Sequence, residues 1–147
     1  EEDNLKKLKN KNSLDNVGFF GHFNKEELSF IFPNIDIGLI PLKNLPIFSG
    51  AIPSKIFDIT SHKKPVLLGI KGEARNLFID KAKSGLFFEP ENEFDLVEKI
   101  NILSEDFKIR KVFGQNGFNY TKNEFNRSKI LENFFEFISK WTSNPCI

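Results

Sequence analysis

A chain of 147 residues, 39% hydrophobic and 28% charged, has the size and composition of one globular domain that can bury roughly 70% of its unfolded surface. Disordered, collagenous and disulfide-rich classes are excluded on those figures. The 21 basic and 20 acidic side chains leave a net charge of +1, without the basic excess that duplex binding needs, so nucleic acid is not an expected partner. The one cysteine, Cys146, allows neither an internal disulfide nor a thiolate metal site and fits a reducing, cytoplasmic setting. No apolar run approaches the ~18 residues of a membrane span, and the opening EEDNLKKLKNKN has no signal-peptide core behind it. Methionine is absent, even at position 1, which reads as a fragment or a processed chain.

Helical and extended patterns alternate along the chain. EEDNLKKL reads as a helix, and residues 17–21 (VGFFG) as a short buried strand. Asn24 and Glu27 have the spacing of a capping box, opening a helix that turns Leu28, Ile31 and Phe32 inward and ends at Pro33 and Asn34. Residues 35–41 (IDIGLIP) form the next extended run, followed by a loop over 42–52 rich in proline and glycine. Pro53 suits the first turn of a helix that closes at His62, Lys63 and Lys64, where cations are favoured, before Pro65 stops it.

VLLGI at 66–70 is a third strand, and a helix is expected over 73–83. Gly85 reads as a left-handed cap before a fourth strand at 86–89. Asn92 caps a helix with Phe94, Val97 and Ile100 on one face, and 105–120 carry a weaker helical pattern interrupted by Gly114 and Gly117. From Arg127 to Trp141, Ile130, Leu131, Phe134, Phe135, Ile138 and Trp141 make an apolar stripe wide enough to pack on something large.

Short apolar strands alternating with helices predict an α/β fold: a Rossmann-like, doubly wound parallel sheet with helices on both faces. Ligands in such folds bind beyond the strand carboxyl ends, which directs attention to residues 21–24, 41–55, 71–75 and 89–92. In Gly50-Ala51-Ile52-Pro53-Ser54-Lys55 a flexible turn runs into a helix start suited to a phosphate or carboxylate, with Ser54 adding a hydroxyl and Lys55 a charge. An ordinary capped helix after a surface loop explains the same residues.

Asp58 lies one turn further on, placed either to accept ribose hydroxyls or simply to be solvated, and spacing alone favours the second. Glu73 and Arg75 are equally an anion or sugar contact and an exposed first helical turn. His22 borders the first ligand segment, whereas the helix end accounts for His62. No metal-ligand spacing, P-loop, dinucleotide fingerprint or nucleophile triad is present, so no metal, cofactor or covalent catalyst is assigned.

The ordered set FFGHFNKEELSFIFPNIDIGLIPL, IPSKIFD, KPVLLG, GEAR, GLFFEPEN and FGQNGFNYTKNEFNRSKILENF resembles the carboxyl-terminal, donor-binding half of a family 4 glycosyltransferase of the GT-B fold. The Gly-Ala-x-Pro-Ser-Lys loop is similar to that of a bacterial surface-polysaccharide subgroup. The resemblance implies transfer of a sugar, with retention, from a nucleoside-diphosphate sugar (a UDP-sugar foremost) to a glycan or lipid-linked acceptor, without a bound metal.

It also implies roles. Gly21, His22 and Phe23 flank the base; Gly50, Ala51, Ile52, Ser54 and Lys55 face the sugar and diphosphate, joined by Glu73 and Arg75; Asp58 holds the ribose. Many members carry two glutamates separated by seven residues, whereas Gly50 stands at the first of these positions and Asp58 at the second. By the same resemblance the acceptor domain and the first strand-helix units of the donor domain precede residue 1 and supply an arginine and lysine that neutralise the diphosphate, and the last helix packs on the absent domain. The 147 residues alone are then inactive, and the complete enzyme is cytoplasmic or peripheral at the inner face of the membrane. The rival readings are a sugar-nucleotide 2-epimerase on the same fold and a non-enzymatic flavodoxin-like interaction module.

Overall fold

The computed structural model describes residues 2–142, so Cys146 lies outside them. The chain divides into two units on either side of the Ile31–Phe32 junction.

The first unit holds α1 (Glu2–Lys11) and α2 (Lys25–Ile31). An ion pair between Glu2 and Lys6 at 2.7 Å braces α1, and this lysine holds the Glu2 carboxyl below its ordinary pKa. α2 opens on the expected capping box: the Asn24 amide donates to Glu27 Oε2 at 2.8 Å, and the Glu27 amide donates to Asn24 Oδ1 at 2.9 Å. The strand expected over 17–21 is not formed. An extended run becomes a strand only when a neighbour takes up its ladder, and Phe20, 78% exposed, lies on no buried face.

The second unit begins with a 3₁₀ turn at Phe32–Asn34 and is built on three strands: β1 (Gly38–Pro41), β2 (Val66–Gly69) and β3 (Gly85–Phe87). They are parallel, in the order β1-β2-β3, with Leu39 opposite Leu67 and Leu67 opposite Leu86. Between β1 and β2 lie a 3₁₀ turn (Pro46–Phe48) and α3 (Lys55–Ser61); between β2 and β3 runs a π-helix (Arg75–Lys81). After β3 come α4 (Glu93–Glu105), α5 (Phe107–Glu124) and α6 (Arg127–Thr142). No described helix is long and apolar enough to cross a membrane.

β2 explains the layering, since a strand covered on both faces reads as an unbroken apolar run. Val66 and Leu68 point into one core with Ile56 and Ile59 of α3 and Phe78 of the π-helix, while Leu67 points into the other with Phe88 and Leu103. Phe57, Phe78, Tyr120 and Phe125 close the first core with edge-to-face and stacked rings 5.0–6.0 Å apart.

Several expectations need correction. Gly85 is the first residue of β3 and not a left-handed cap; the positive φ belongs to Lys83, and a side chain at Gly85 would overlap the Val66 backbone. The α4 residues Phe94, Val97 and Ile100 are exposed at 81%, 55% and 38%, and Leu96 and Leu103 make the inward face instead. α5 runs unbroken through Gly114 and Gly117, which are buried contact points: a Cβ on Gly114 would overlap the Lys63 carbonyl, and one on Gly117 would sit 2.9 Å from Thr60 and Ser84. α6 forms as expected, and every residue from Arg127 to Trp141 is exposed, the apolar stripe included.

Candidate functional site

β1 ends at Pro41 and β2 at Gly69, and their following loops meet. Gly72 has φ +86°, and its α-carbon lies so close to the Ser49 carbonyl that a side chain would overlap that oxygen. The Glu73 amide donates to the same oxygen at 2.8 Å. One backbone oxygen thus joins the Gly50–Lys55 loop to the Gly72–Arg75 turn, two of the segments singled out by sequence. Beside it, Lys43, Leu45, Phe48, Ser49, Ile70 and Lys71 border a cleft of about 380 Å³.

The rotation of α3, which follows the β1 loop, decides which of its side chains are exposed. Ile56 and Ile59 are buried at 0% and 4% exposure, and the Thr60 hydroxyl donates to the Ile56 carbonyl at 2.9 Å and shares a hydrogen bond with Thr121 at 2.9 Å. With that face fixed, Ser54, Lys55 and Asp58 are exposed together, as their spacing predicts. No described protein group engages the Ser54 hydroxyl, the Lys55 ammonium or the Asp58 carboxylate. They form a neighbouring donor, cation and anion with no internal structural task.

The helix start itself differs from the expectation. Pro53 precedes α3 by two residues, and the amides of Ile56 and Phe57 already donate to Pro53 and Ser54 at 3.0 Å. Anion binding here therefore rests on the Ser54 and Lys55 side chains more than on those amides. Gly50 is exposed with open space where a Cβ would be, and Ala51 and Ile52 are half-buried against the first core.

Glu73 is exposed at the turn, and no described residue pairs with its carboxylate. Arg75 is turned to β3: its guanidinium lies 3.9 Å from the centre of the Phe87 ring, and Nε is 3.9 Å from Asp80. Lys71 pairs with Glu89, tying the ends of β2 and β3, a link that sequence reading missed because it depends on which strands are neighbours. The segment after β3 is held by Asp95, whose Oδ2 accepts from the Glu89 amide at 2.7 Å while Asn92 caps α4. In the first unit, Gly21 has φ +72°, and His22 and Phe23 are exposed; with no strand over 17–21, they do not follow a strand end as expected.

The sequence profile of the family described as glycosyl transferases group 1 matches residues 1–120. The chain belongs to that family. Its structure is similar to the crystal structure of the C-terminal domain of a glycosyl transferase group 1 family protein, LpcC, from Francisella tularensis, with a TM-score of 0.66 and 19% identity. The superposition covers 86% of this chain and 63% of the Francisella domain, so the chain spans less than two thirds of the structure it matches. At that identity the likeness shows the fold, the α/β arrangement of a GT-B carboxyl-terminal domain. No curated protein matches the chain by sequence. Among the described residues of the group 1 domain, no cluster of three His, Cys, Asp or Glu side chains could hold a metal ion.

Proposed function

We propose that this group 1 domain is the donor-binding part of a retaining, family 4 glycosyltransferase that moves a sugar from a UDP-sugar to a glycan or lipid-linked acceptor in surface-polysaccharide synthesis. The observation that carries the reading is the exposed Ser54, Lys55 and Asp58 set, whose side chains have no partner among the described residues, on the helix that follows the β1 loop and its Ser49–Gly72 junction. Lys55 and Ser54 meet the diphosphate or sugar, with Glu73 and the Gly50–Ile52 backbone alongside, and Asp58 accepts from the ribose hydroxyls. Arg75, stacked on Phe87, positions the turn and offers its outer edge to the donor.

Gly21, His22 and Phe23 are proposed for the base. The acceptor enters through a further domain, and the exposed stripe of α6 is the surface which that domain covers. The complete enzyme works in the cytoplasm, at the inner face of the membrane where lipid-linked acceptors lie.

Ligand-observed magnetic resonance on the complete protein, titrated with UDP, UDP-glucose, UDP-N-acetylglucosamine and their GDP counterparts, tests the reading. Saturable transfer to a UDP ligand is expected, with the ribose protons among the strongest signals. No transfer to any nucleotide would overturn the donor assignment, and preference for GDP would overturn the base.

A further inference from the structure

At the opposite end of the sheet from the donor loops, Lys63, Lys64, Arg110, Lys111 and Gln115 line a cleft of about 570 Å³ that the donor reading does not use. Its location follows from the topology. Ile35, Asp36 and Pro65, which also line it, precede β1 and β2, whereas Ser49 and Gly72 follow them. Four-residue strands rise about 13 Å, so the two sites lie at opposite ends of the sheet.

The absence of a side chain at Gly114 builds the cleft. With no Cβ there, α5 touches the Lys63 carbonyl, and this contact brings the Lys63–Lys64 pair, on the turn after α3, beside Arg110 and Lys111 on α5. Four full positive charges thus line a site containing one carboxylate, Asp36, which lies 3.7 Å from Arg110 and is 78% exposed. In a chain with net charge +1, that is a local concentration of charge.

Internal partners of these cations are weak or neutral. Lys64 donates to the Pro33 carbonyl at 2.7 Å, and Arg110 donates to the Leu103 and Ser104 carbonyls at 2.5 and 2.9 Å. Lys111 lies 4.5 Å from the Phe107 ring centre and Lys63 4.9 Å from that of Phe118. Carbonyls and rings hold the side chains in place without cancelling their charge. The α5 amides of Lys108 and Ile109 are already taken by the Asp106 cap, so the positive character comes from side chains.

We propose that this cleft is a second anion site, which binds a phosphate group with Lys63 and Lys111 as its exposed cations and Arg110 as its half-buried one. Ammonium and guanidinium donors around an open cleft suit a tetrahedral oxyanion. Two sources present that chemistry: a free phosphate compound and the headgroup of an anionic lipid. Phe107 and Val112, exposed at 56% and 55% on the rim, give a lipid surface something to receive.

The test uses the full protein and two probes: inorganic pyrophosphate by calorimetry, and vesicles of equal phosphatidylglycerol and phosphatidylcholine by sedimentation, with phosphatidylcholine alone as blank. Lys63→Ala with Lys111→Ala should weaken binding by about tenfold or more, as expected for losing two charged donors. Lys129→Ala with Lys140→Ala on α6 removes the same charge elsewhere and should change it less than about twofold. Both lysines of the cleft pair are exposed, so the thermal midpoint should hold. Binding of pyrophosphate alone assigns a soluble ligand, and binding of anionic vesicles alone assigns a lipid. Binding of neither probe, or equal losses in the two variant pairs, overturns the site.

Discussion

The carbonyl of Ser49 and the α-carbon of Gly72 are packed against each other with no room for a side chain, and the Glu73 amide donates to the same carbonyl at 2.8 Å. Two loops forty and more residues from the chain start are thereby held as one surface. Gly72→Ala must strain a φ of +86° and displace backbone, so it should lower stability by about 2–4 kcal/mol in urea unfolding. Gly50→Ala, with open space at the same loop, should change stability by less than about 0.5 kcal/mol. Equal effects of the two substitutions would show that the junction does not hold the loops.

Gly114 sets two effects in opposition. Replacing a helical glycine by alanine gains about 1 kcal/mol of helix propensity, while a Cβ overlapping the Lys63 carbonyl oxygen costs about 3 kcal/mol, the upper end for overpacking, because backbone must move. The clash wins, and Gly114→Ala should lower the thermal midpoint; a rise would mean that α5 can shift freely from the turn after α3.

Asp95 should make stability depend on pH. Its carboxyl is held below its ordinary pKa, first by the Glu89 amide and then by Lys99. A carboxyl depressed in the folded state stabilises the fold above its unfolded value of about 3.9, and that contribution is lost as pH falls through the lower folded value. Asp95→Ala should therefore cost about 1 kcal/mol at pH 7, a gap that closes as pH is taken below about 3.9. A gap constant from pH 7 to pH 3 would assign the loss to packing.

Lys55 is exposed beside Ser54, so its charge acts on ligand and not on the fold. In the complete protein Lys55→Ala should weaken UDP by about 1–2 kcal/mol and leave uridine nearly unchanged. Equal weakening of both would move Lys55 away from the phosphates.

Local features of the sequence were the most legible. VLLG reads as a two-sided strand because both cores claim it, and Asn24, Glu27 and Asn92 mark helix starts because caps are made within one turn. Features that depend on a distant neighbour were not legible. VGFFG has the composition of a strand, yet no described residue takes up its ladder, and Gly114 reads as a breaker until Lys63 is placed against it. In α4 two stripes of similar apolarity compete, and only the position of Phe88 selects Leu96 and Leu103 over Phe94 and Val97. Within the site, the shared face of Ser54, Lys55 and Asp58 follows from helical spacing. The stacking of Arg75 on Phe87 depends on the register of β2 against β3, which sequence does not print.

Asp58 offers the most direct test of donor binding at this surface. Its carboxylate is exposed, no described residue pairs with that carboxylate, and the group serves the site or the solvent alone. Affinity of the complete protein for UDP is to be compared with that for 2′-deoxy-UDP, in the parent and in Asp58→Asn, which keeps the shape but exchanges an acceptor oxygen for a donor. The parent should prefer the ribose ligand by about 1–3 kcal/mol, and Asp58→Asn should lose most of that preference with an unchanged thermal midpoint. An undiminished preference in Asp58→Asn would contradict the assignment of ribose binding to this face of α3.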